Sequence, residues 1–173
     1  VTSSGKTEIY IEIIKKILAK KLSVLFLVPE IALTTQLVSR LENFFPSNLH
    51  VYHSGINPNK RFEIWNDLLD SKNPKVILGA RSSIFLPFNN LGLIIVDEEN
   101  EVSYKQFESR PLYNARDLAV YLSKQMRSKC ILASATPSLE SFNNSQIDKY
   151  SLVELNKRYG DFEPPELIFT IPN

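Results

Sequence analysis

Four short apolar runs, separated by stretches with helical periodicity, constrain this chain more than any other feature. Ser23–Val28 (SVLFLV), Lys75–Leu78 (KVIL), Leu93–Val96 (LIIV) and Cys130–Ala133 (CILA) are continuously apolar rather than alternating. That is the pattern of strands covered on both faces, as in a parallel sheet. Between and around them, Thr7–Lys20 sets Ile9, Ile13, Ile14 and Ile17 at helical spacing, and Ile31–Phe45 reads as a helix stopped by Pro46. Pro58–Leu69 reads as a helix with Phe62, Trp65, Leu68 and Leu69 on one face, and Asn114–Met126 as another. Ser138 is placed to cap a helix beginning there, with Glu140 suited to its positive end. His50–His53 is a short strand, and Tyr150–Leu155 a candidate last strand. Strands alternating with helices predict an α/β fold with a mainly parallel sheet and helices on both faces. The pattern fades at Asn156, so the expected division is a domain over 1–155 and an extended tail or linker over 156–173, marked by Pro164, Pro165 and Pro172.

Composition narrows the classes. With 173 residues, 43% hydrophobic and 23% charged, the chain can bury a core without covalent staples. A net charge of +1 does not mark a dedicated nucleic-acid module, so any DNA contact must come from local groups. The one cysteine, Cys130, excludes an internal disulfide framework and a cysteine-cluster zinc site within this sequence. No run approaches the roughly 18 apolar residues of a membrane helix. A sequence that opens inside a motif reads as a piece of a longer protein, and a monomer is expected.

Three polar stretches stand where ligands bind in such a fold. The first is Val1-Thr2-Ser3-Ser4-Gly5-Lys6-Thr7, the end of the G-x-x-x-x-G-K-[ST] phosphate loop, whose first glycine would precede Val1. Backbone N–H groups of Thr2, Ser3, Ser4, Gly5, Lys6 and Thr7 could cradle phosphates at a helix start. Lys6 would reach the β- and γ-phosphates and Thr7 would place its hydroxyl on Mg²⁺. The second is Asp97-Glu98-Glu99-Asn100, after an apolar strand. Such strand ends line the ligand edge of an open α/β sheet. There Asp97 could hold Mg²⁺ and Glu98 could orient and activate water; Glu99 is read as structural. The third is Ser134-Ala135-Thr136, again after a buried strand. Its hydroxyls could hydrogen-bond the acidic loop and sense its nucleotide state.

The order GKT, DEE, SAT resembles that of superfamily 2 helicases. The longer strings LVPEIALTTQ, GARSSIFLPF, DEENEVSYKQ, PLYNARDLAV and SATPSLES resemble the PriA family of replication-restart DNA helicases, from residue 1 to about Glu154. The resemblance implies a three-layer RecA-like P-loop NTPase domain that binds ATP and Mg²⁺ and moves along single-stranded and forked DNA in the 3′-to-5′ direction. It implies a cytoplasmic, nucleoid-associated protein working with replication-restart partners. It places Pro29 and Glu30 in one DNA-facing segment and Gly79, Arg81 and Ser82 in another. Tyr104–Tyr113 resembles the family's aromatic-rich loop linking DNA contact to hydrolysis. Tyr104 and Phe107 there could stack on bases while Lys105 and Arg110 meet phosphates. Asn100, Ser134 and Thr136 fall at positions that couple hydrolysis to DNA.

The sequence departs from that family's pattern at Ser3, usually glycine, and at Asn100, usually histidine. Asparagine hydrogen-bonds but cannot titrate near neutral pH. The family's second motor domain, with its transition-state arginine, and its zinc module are outside this sequence. Zinc is therefore expected only in the remainder of the parent protein, and little ATPase is expected from this piece alone. Two alternatives are a P-loop kinase or GTPase, and a non-hydrolysing module that binds DNA or a partner. Against a GTPase, Asp97-Glu98-Glu99-Asn100 lacks the glycine of D-x-x-G, and Asn156-Lys157-Arg158-Tyr159 fails as a guanine clamp.

Overall fold

The computed structural model describes residues 5–69, 73–107 and 110–155. Five strands, β1 (Ser23–Leu27), β2 (Leu49–Tyr52), β3 (Val76–Gly79), β4 (Leu91–Asp97) and β5 (Lys129–Ala133), make one sheet in the order β2-β3-β1-β4-β5. Every pairing is parallel. The helices are α1 (Lys6–Leu18), α2 (Thr35–Phe44), α3 (Pro58–Leu69), α4 (Ala115–Gln125) and α5 (Leu139–Gln146).

Alternation along β1 divides the core into two layers. Val24 and Phe26, with Val28 just beyond the strand, pack among Tyr10, Ile11 and Ile14 of α1 and Leu41 of α2. Leu25 and Leu27 join Ile64 and Leu68 of α3 and Ala115 and Ala119 of α4 on the other face. All of β1, and β4 up to Val96, is buried, which is why these runs are apolar throughout rather than alternating. Because the strands are parallel, their carboxyl ends open on one rim. Pro29, Arg81, Asp97–Asn100 and Ser134–Thr136 therefore leave the sheet on the same side, where ligands bind in open α/β folds.

Several expectations are corrected. The helix expected over Ile31–Phe45 is a short 3₁₀ turn (Glu30–Ala32) followed by α2. Thr34 starts α2 by accepting from the Leu37 N–H at 3.3 Å, a side-chain cap that satisfies an otherwise orphaned donor. On α3 the core face is Ile64 and Leu68, while Phe62, Trp65 and Leu69 are exposed. Two apolar stripes run along that helix, and periodicity alone does not say which one meets the sheet. Ile9 is likewise exposed, with Tyr10, Ile11 and Ile14 forming the buried face of α1. No strand forms between Tyr150 and Leu155, where Leu152 and Val153 stay exposed. The tail expected over 156–173, and the phosphate-loop residues Thr2, Ser3 and Ser4, lie outside the described residues.

Candidate active site

α1 opens directly on Gly5-Lys6-Thr7. Gly5 stands just before the helix with φ 75° and ψ 20°, a left-handed conformation that glycine adopts without steric cost. Its carbonyl accepts from the N–H groups of Glu8 and Ile9 at 3.0 and 3.3 Å. The positive end of the helix and its first amides thus lie at the phosphate-loop sequence. From this turn Lys6 reaches the end of β4, where its Nζ lies 2.7 Å from Glu98 Oε1 and 3.3 Å from Asp97 Oδ1. Burial works to lower the Lys6 pKa, but the hydrogen bond to Glu98 and the charges of both carboxylates outweigh it and hold the ammonium above its ordinary value. Thr7 is half-buried on the same turn.

The acidic turn is fixed by its own backbone. Glu98 has φ 48°, uncommon for a residue with a side chain and maintained only where the surroundings determine it. The Glu99 N–H donates to the Ala133 carbonyl at 3.0 Å, and the Glu101 N–H to the Glu98 carbonyl at 2.9 Å. Neighbouring acids then part company, Glu98 going to Lys6 and Glu99 into the protein.

The Ser134–Thr136 turn meets the acidic turn through side-chain hydrogen bonds. Ser134 Oγ donates to Asn100 Oδ1 at 2.6 Å and lies 3.4 Å from Glu98 Oε2. Asn100 Nδ2 donates to Thr136 Oγ1 at 3.3 Å.

Glu99 has more to do than the sequence suggested. Its carboxylate accepts from the Ser138 N–H at 2.6 Å, Ser138 Oγ at 3.1 Å, Ser141 Oγ at 3.0 Å and Arg116 at 3.2 Å. Arg116 also donates to Ser138 Oγ at 2.8 Å. This buried cluster ties the acidic turn to α4 and to the first turn of α5, which Ser138 caps by accepting from Ser141 N–H. Arg116 and Ser141 carried no motif signal; Ser138 was legible only as a cap. Tyr10 was also missed. It follows Lys6 by one helical turn, and its hydroxyl donates to Asp97 Oδ1 at 2.9 Å.

A groove of about 240 Å³ adjoins this site on the same rim, lined among others by Pro29, Glu30, Arg81, Ser82, Tyr104 and Tyr113. Gly79, at the end of β3 just before this segment, leaves no room for a side chain: a Cβ there would stand 1.9 Å from Ser83 Oγ and 2.7 Å from the Tyr52 carbonyl oxygen. Arg81 donates to the carbonyls of Ser103 and Lys105 at 3.2 and 2.7 Å, and its guanidinium lies 6.0 Å from the Tyr113 ring centre. Arg81 therefore holds the aromatic segment in place, with part of its donor fork already engaged. Tyr104 is corrected as a base-stacking residue: it is 1% exposed, and its hydroxyl donates to the Asp97 carbonyl at 2.7 Å. A ring sealed in the core offers no face to a base. Phe107 and Lys105 are exposed, and Tyr113 packs edge-on against Phe85 at 4.8 Å.

The oxygens of Thr7, Asp97 and Glu98 suit a hard cation such as Mg²⁺. Among the described residues no group of three or more His, Cys, Asp or Glu forms a cage for a metal. Mg²⁺ is commonly held by one or two carboxylates together with substrate phosphates, so the donor set fits it.

A parallel three-layer domain carrying a helix-borne Gly-Lys-Thr against a strand-borne Asp-Glu is a RecA-like nucleotide-binding domain. Residues 1–145 match the DEAD/DEAH box helicase family, and the chain belongs to that family. It is similar to Replication restart protein PriA of Bacillus subtilis (strain 168), at 44% identity over 96% of this chain and 20% of that protein. It is also similar to Replication restart protein PriA of Helicobacter pylori (strain ATCC 700392 / 26695), at 49% identity over 91% of this chain and 25% of that protein. The chain thus spans about a fifth to a quarter of the length of these relatives. Among solved structures, the DUF1998 helicase MrfA bound to DNA and AMPPNP superposes with a TM-score of 0.57 at 17% identity, over 83% of this chain and 22% of that one; that likeness supports the fold. The family match does not favour a kinase or GTPase.

Proposed function

We propose that this chain is the ATP-binding motor domain of a replication-restart DNA helicase. The observation that carries the reading is the meeting of Lys6 with Glu98 and Asp97, 92 and 91 positions away along the chain, at the amino end of α1. The similarity to the PriA proteins supplies the substrate class. DNA is the polymer acted on, replication-restart proteins are the partners of the parent, and the cytoplasm is the compartment such a role requires. Among the described residues no helix is long and apolar enough to cross a membrane.

In this reading the phosphate-loop amides, including those of Thr2, Ser3 and Ser4, hold the phosphates of ATP. Lys6 exchanges its carboxylate partners for the β- and γ-phosphate oxygens, where its charge offsets charge developing on the transferred group. Thr7 and Asp97 would hold Mg²⁺, which when bound would supply Lewis-acid charge for the phosphates. Freed from Lys6, Glu98 orients the attacking water and takes its proton. Asn100, bonded to Ser134 and Thr136, passes the state of the acidic turn to the following segment through hydrogen bonds alone. Pro29, Arg81 and Ser82 face the DNA track, Phe107 and Lys105 supply an exposed ring and cation to it, and Tyr104 acts from beneath through Asp97.

The test uses the full-length protein and DNA-stimulated ATP hydrolysis. Lys6→Ala is expected to abolish turnover. Glu98→Gln is expected to keep ATP binding and lose about 10²- to 10⁴-fold in rate, the range for a positioned acid–base group. An unchanged rate in Glu98→Gln removes that residue from the role, and failure of the wild-type protein to bind Mg·ATP overturns the reading.

A further inference from the structure

We infer that Tyr10 is a positioning residue for the nucleotide-associated divalent cation, holding the Asp97 carboxylate in its ligating orientation; this rests on the function proposed above. Both contacts of that carboxylate among the described residues fall on Oδ1: Tyr10 OH at 2.9 Å and Lys6 Nζ at 3.3 Å. Of the two, only Lys6 has another task. When it moves onto phosphate, the Tyr10 hydroxyl is the contact that remains, and the second oxygen, Oδ2, is left to face the cation.

Tyr10 cannot move away in the same manner. It is 4% exposed, and its ring stands edge-on to Phe26 with centres 5.2 Å apart and planes at 78°. Being on α1, one turn beyond Lys6, it ties the carboxylate to the helix that bears the phosphate loop. Movement of that loop is thereby registered with the metal ligand. The backbone of Asp97 is held separately, its carbonyl accepting from Tyr104 OH at 2.7 Å. Side chain and main chain of one residue are thus fixed by two buried tyrosines.

The experiment is Tyr10→Phe in the full-length protein, which keeps the ring on Phe26 and deletes only the donor. AMPPNP binding is titrated by calorimetry with Mg²⁺ and with EDTA, and the Mg²⁺ concentration giving half-maximal ATP turnover is measured. Tyr10→Phe is expected to raise that midpoint about tenfold, at the low end of the 10- to 100-fold cost of losing the partner behind a metal ligand. Mg·AMPPNP affinity should fall in step, metal-free AMPPNP affinity should not change, and the loss should appear in the Mg²⁺ midpoint more than in kcat. Phe26→Leu, which loosens the ring but leaves the hydroxyl, should shift the midpoint in the same direction by less. Equal Mg²⁺ midpoints in wild type and both variants, or parallel losses with and without Mg²⁺, overturn the inference. Wild-type protein that binds no Mg·AMPPNP overturns instead the function on which it rests.

Discussion

On one side of the Asp97–Asn100 turn, Glu98 meets Lys6 with 42% of its side chain exposed, while on the other Glu99 is 1% exposed and bonded to Arg116 and to two serines. Adjacent residues of one type thus occupy opposite regimes. The Lys6–Glu98 pair is part-buried, its side chains 19% and 42% exposed, so it is easier to exchange than a sealed cluster, though worth more than the about 0–1 kcal/mol of a fully exposed pair. The role proposed for Glu98, trading Lys6 for water, calls for such a pair. A carboxylate whose oxygens are both occupied, by the Ser138 N–H, two serine hydroxyls and Arg116, cannot trade them without leaving interior donors short of an acceptor. On the proposed function, the difference separates a contact that would take part in turnover from one that fixes the frame around it.

The largest effect expected from this contrast is on stability. Glu99→Ala removes the acceptor of four donors and takes from Arg116 its buried carboxylate partner, leaving it Asp117 at 2.9 Å and Glu140 at 3.9 Å; the expected cost is about 3 kcal/mol, the low end of the range for breaking a buried pair. Glu98→Gln should move the same denaturation midpoint by less than about 0.5 kcal/mol, although it is the variant expected to stop hydrolysis. Urea denaturation of both variants measures this. Equal shifts would mean that the two faces of the turn are not mechanically distinct.

Ser138→Ala sharpens the comparison at a smaller scale. Ser138 caps α5 through its hydroxyl and also sends that hydroxyl to Glu99, but its backbone N–H contact with Glu99 survives the substitution. The expected cost is about 1 kcal/mol, as for a lost N-cap, with Arg116 remaining paired. A loss as large as that of Glu99→Ala would show that the serine hydroxyl, and not the carboxylate, organises the cluster.

The exchangeable side was largely legible in the sequence and the sealed side was not, for a physical reason. Lys6, Thr7, Asp97 and Glu98 stand in a motif spacing set relative to strands and helices, so the sequence alone nominates them for the proposed site. Glu99 finds Arg116 17 positions on and Ser138 39 positions on, distances that only the folded topology makes short. The strands were legible because burial on both faces leaves no room for polar residues. The face of α3 was not, because Phe62 and Trp65 compete with Ile64 and Leu68 for the same period, and neither was the burial of Tyr104. An aromatic residue in a polar segment looks available to a base until its hydroxyl is seen donating to a main-chain carbonyl beneath the turn.

A third cluster of charges, far from the acidic turn, tests whether partial burial without full pairing behaves differently from either side. His50 on β2 lies with Nε2 3.7 Å from Asp67 Oδ2, and Lys75 approaches the same carboxylate at 3.8 Å. Its Nε2 is buried without a hydrogen-bond partner among the described residues. Burial first, then Lys75 and more weakly Lys60, push its pKa below the ordinary value, with Asp67 pulling only partly the other way. The folded protein therefore binds this proton less readily than the unfolded chain. Stability from His50 is present above the unfolded value of about 6.5 and is lost as pH falls from there toward the folded value. Urea midpoints between about pH 8 and pH 5 should decline more steeply in wild type than in His50→Gln, with the two curves diverging only below about pH 6.5. This is the smallest of the expected effects, because Asp67 offsets part of the penalty. Parallel curves would mean that Asp67 compensates His50 in full, making this half-buried pair as exchangeable as Lys6 and Glu98.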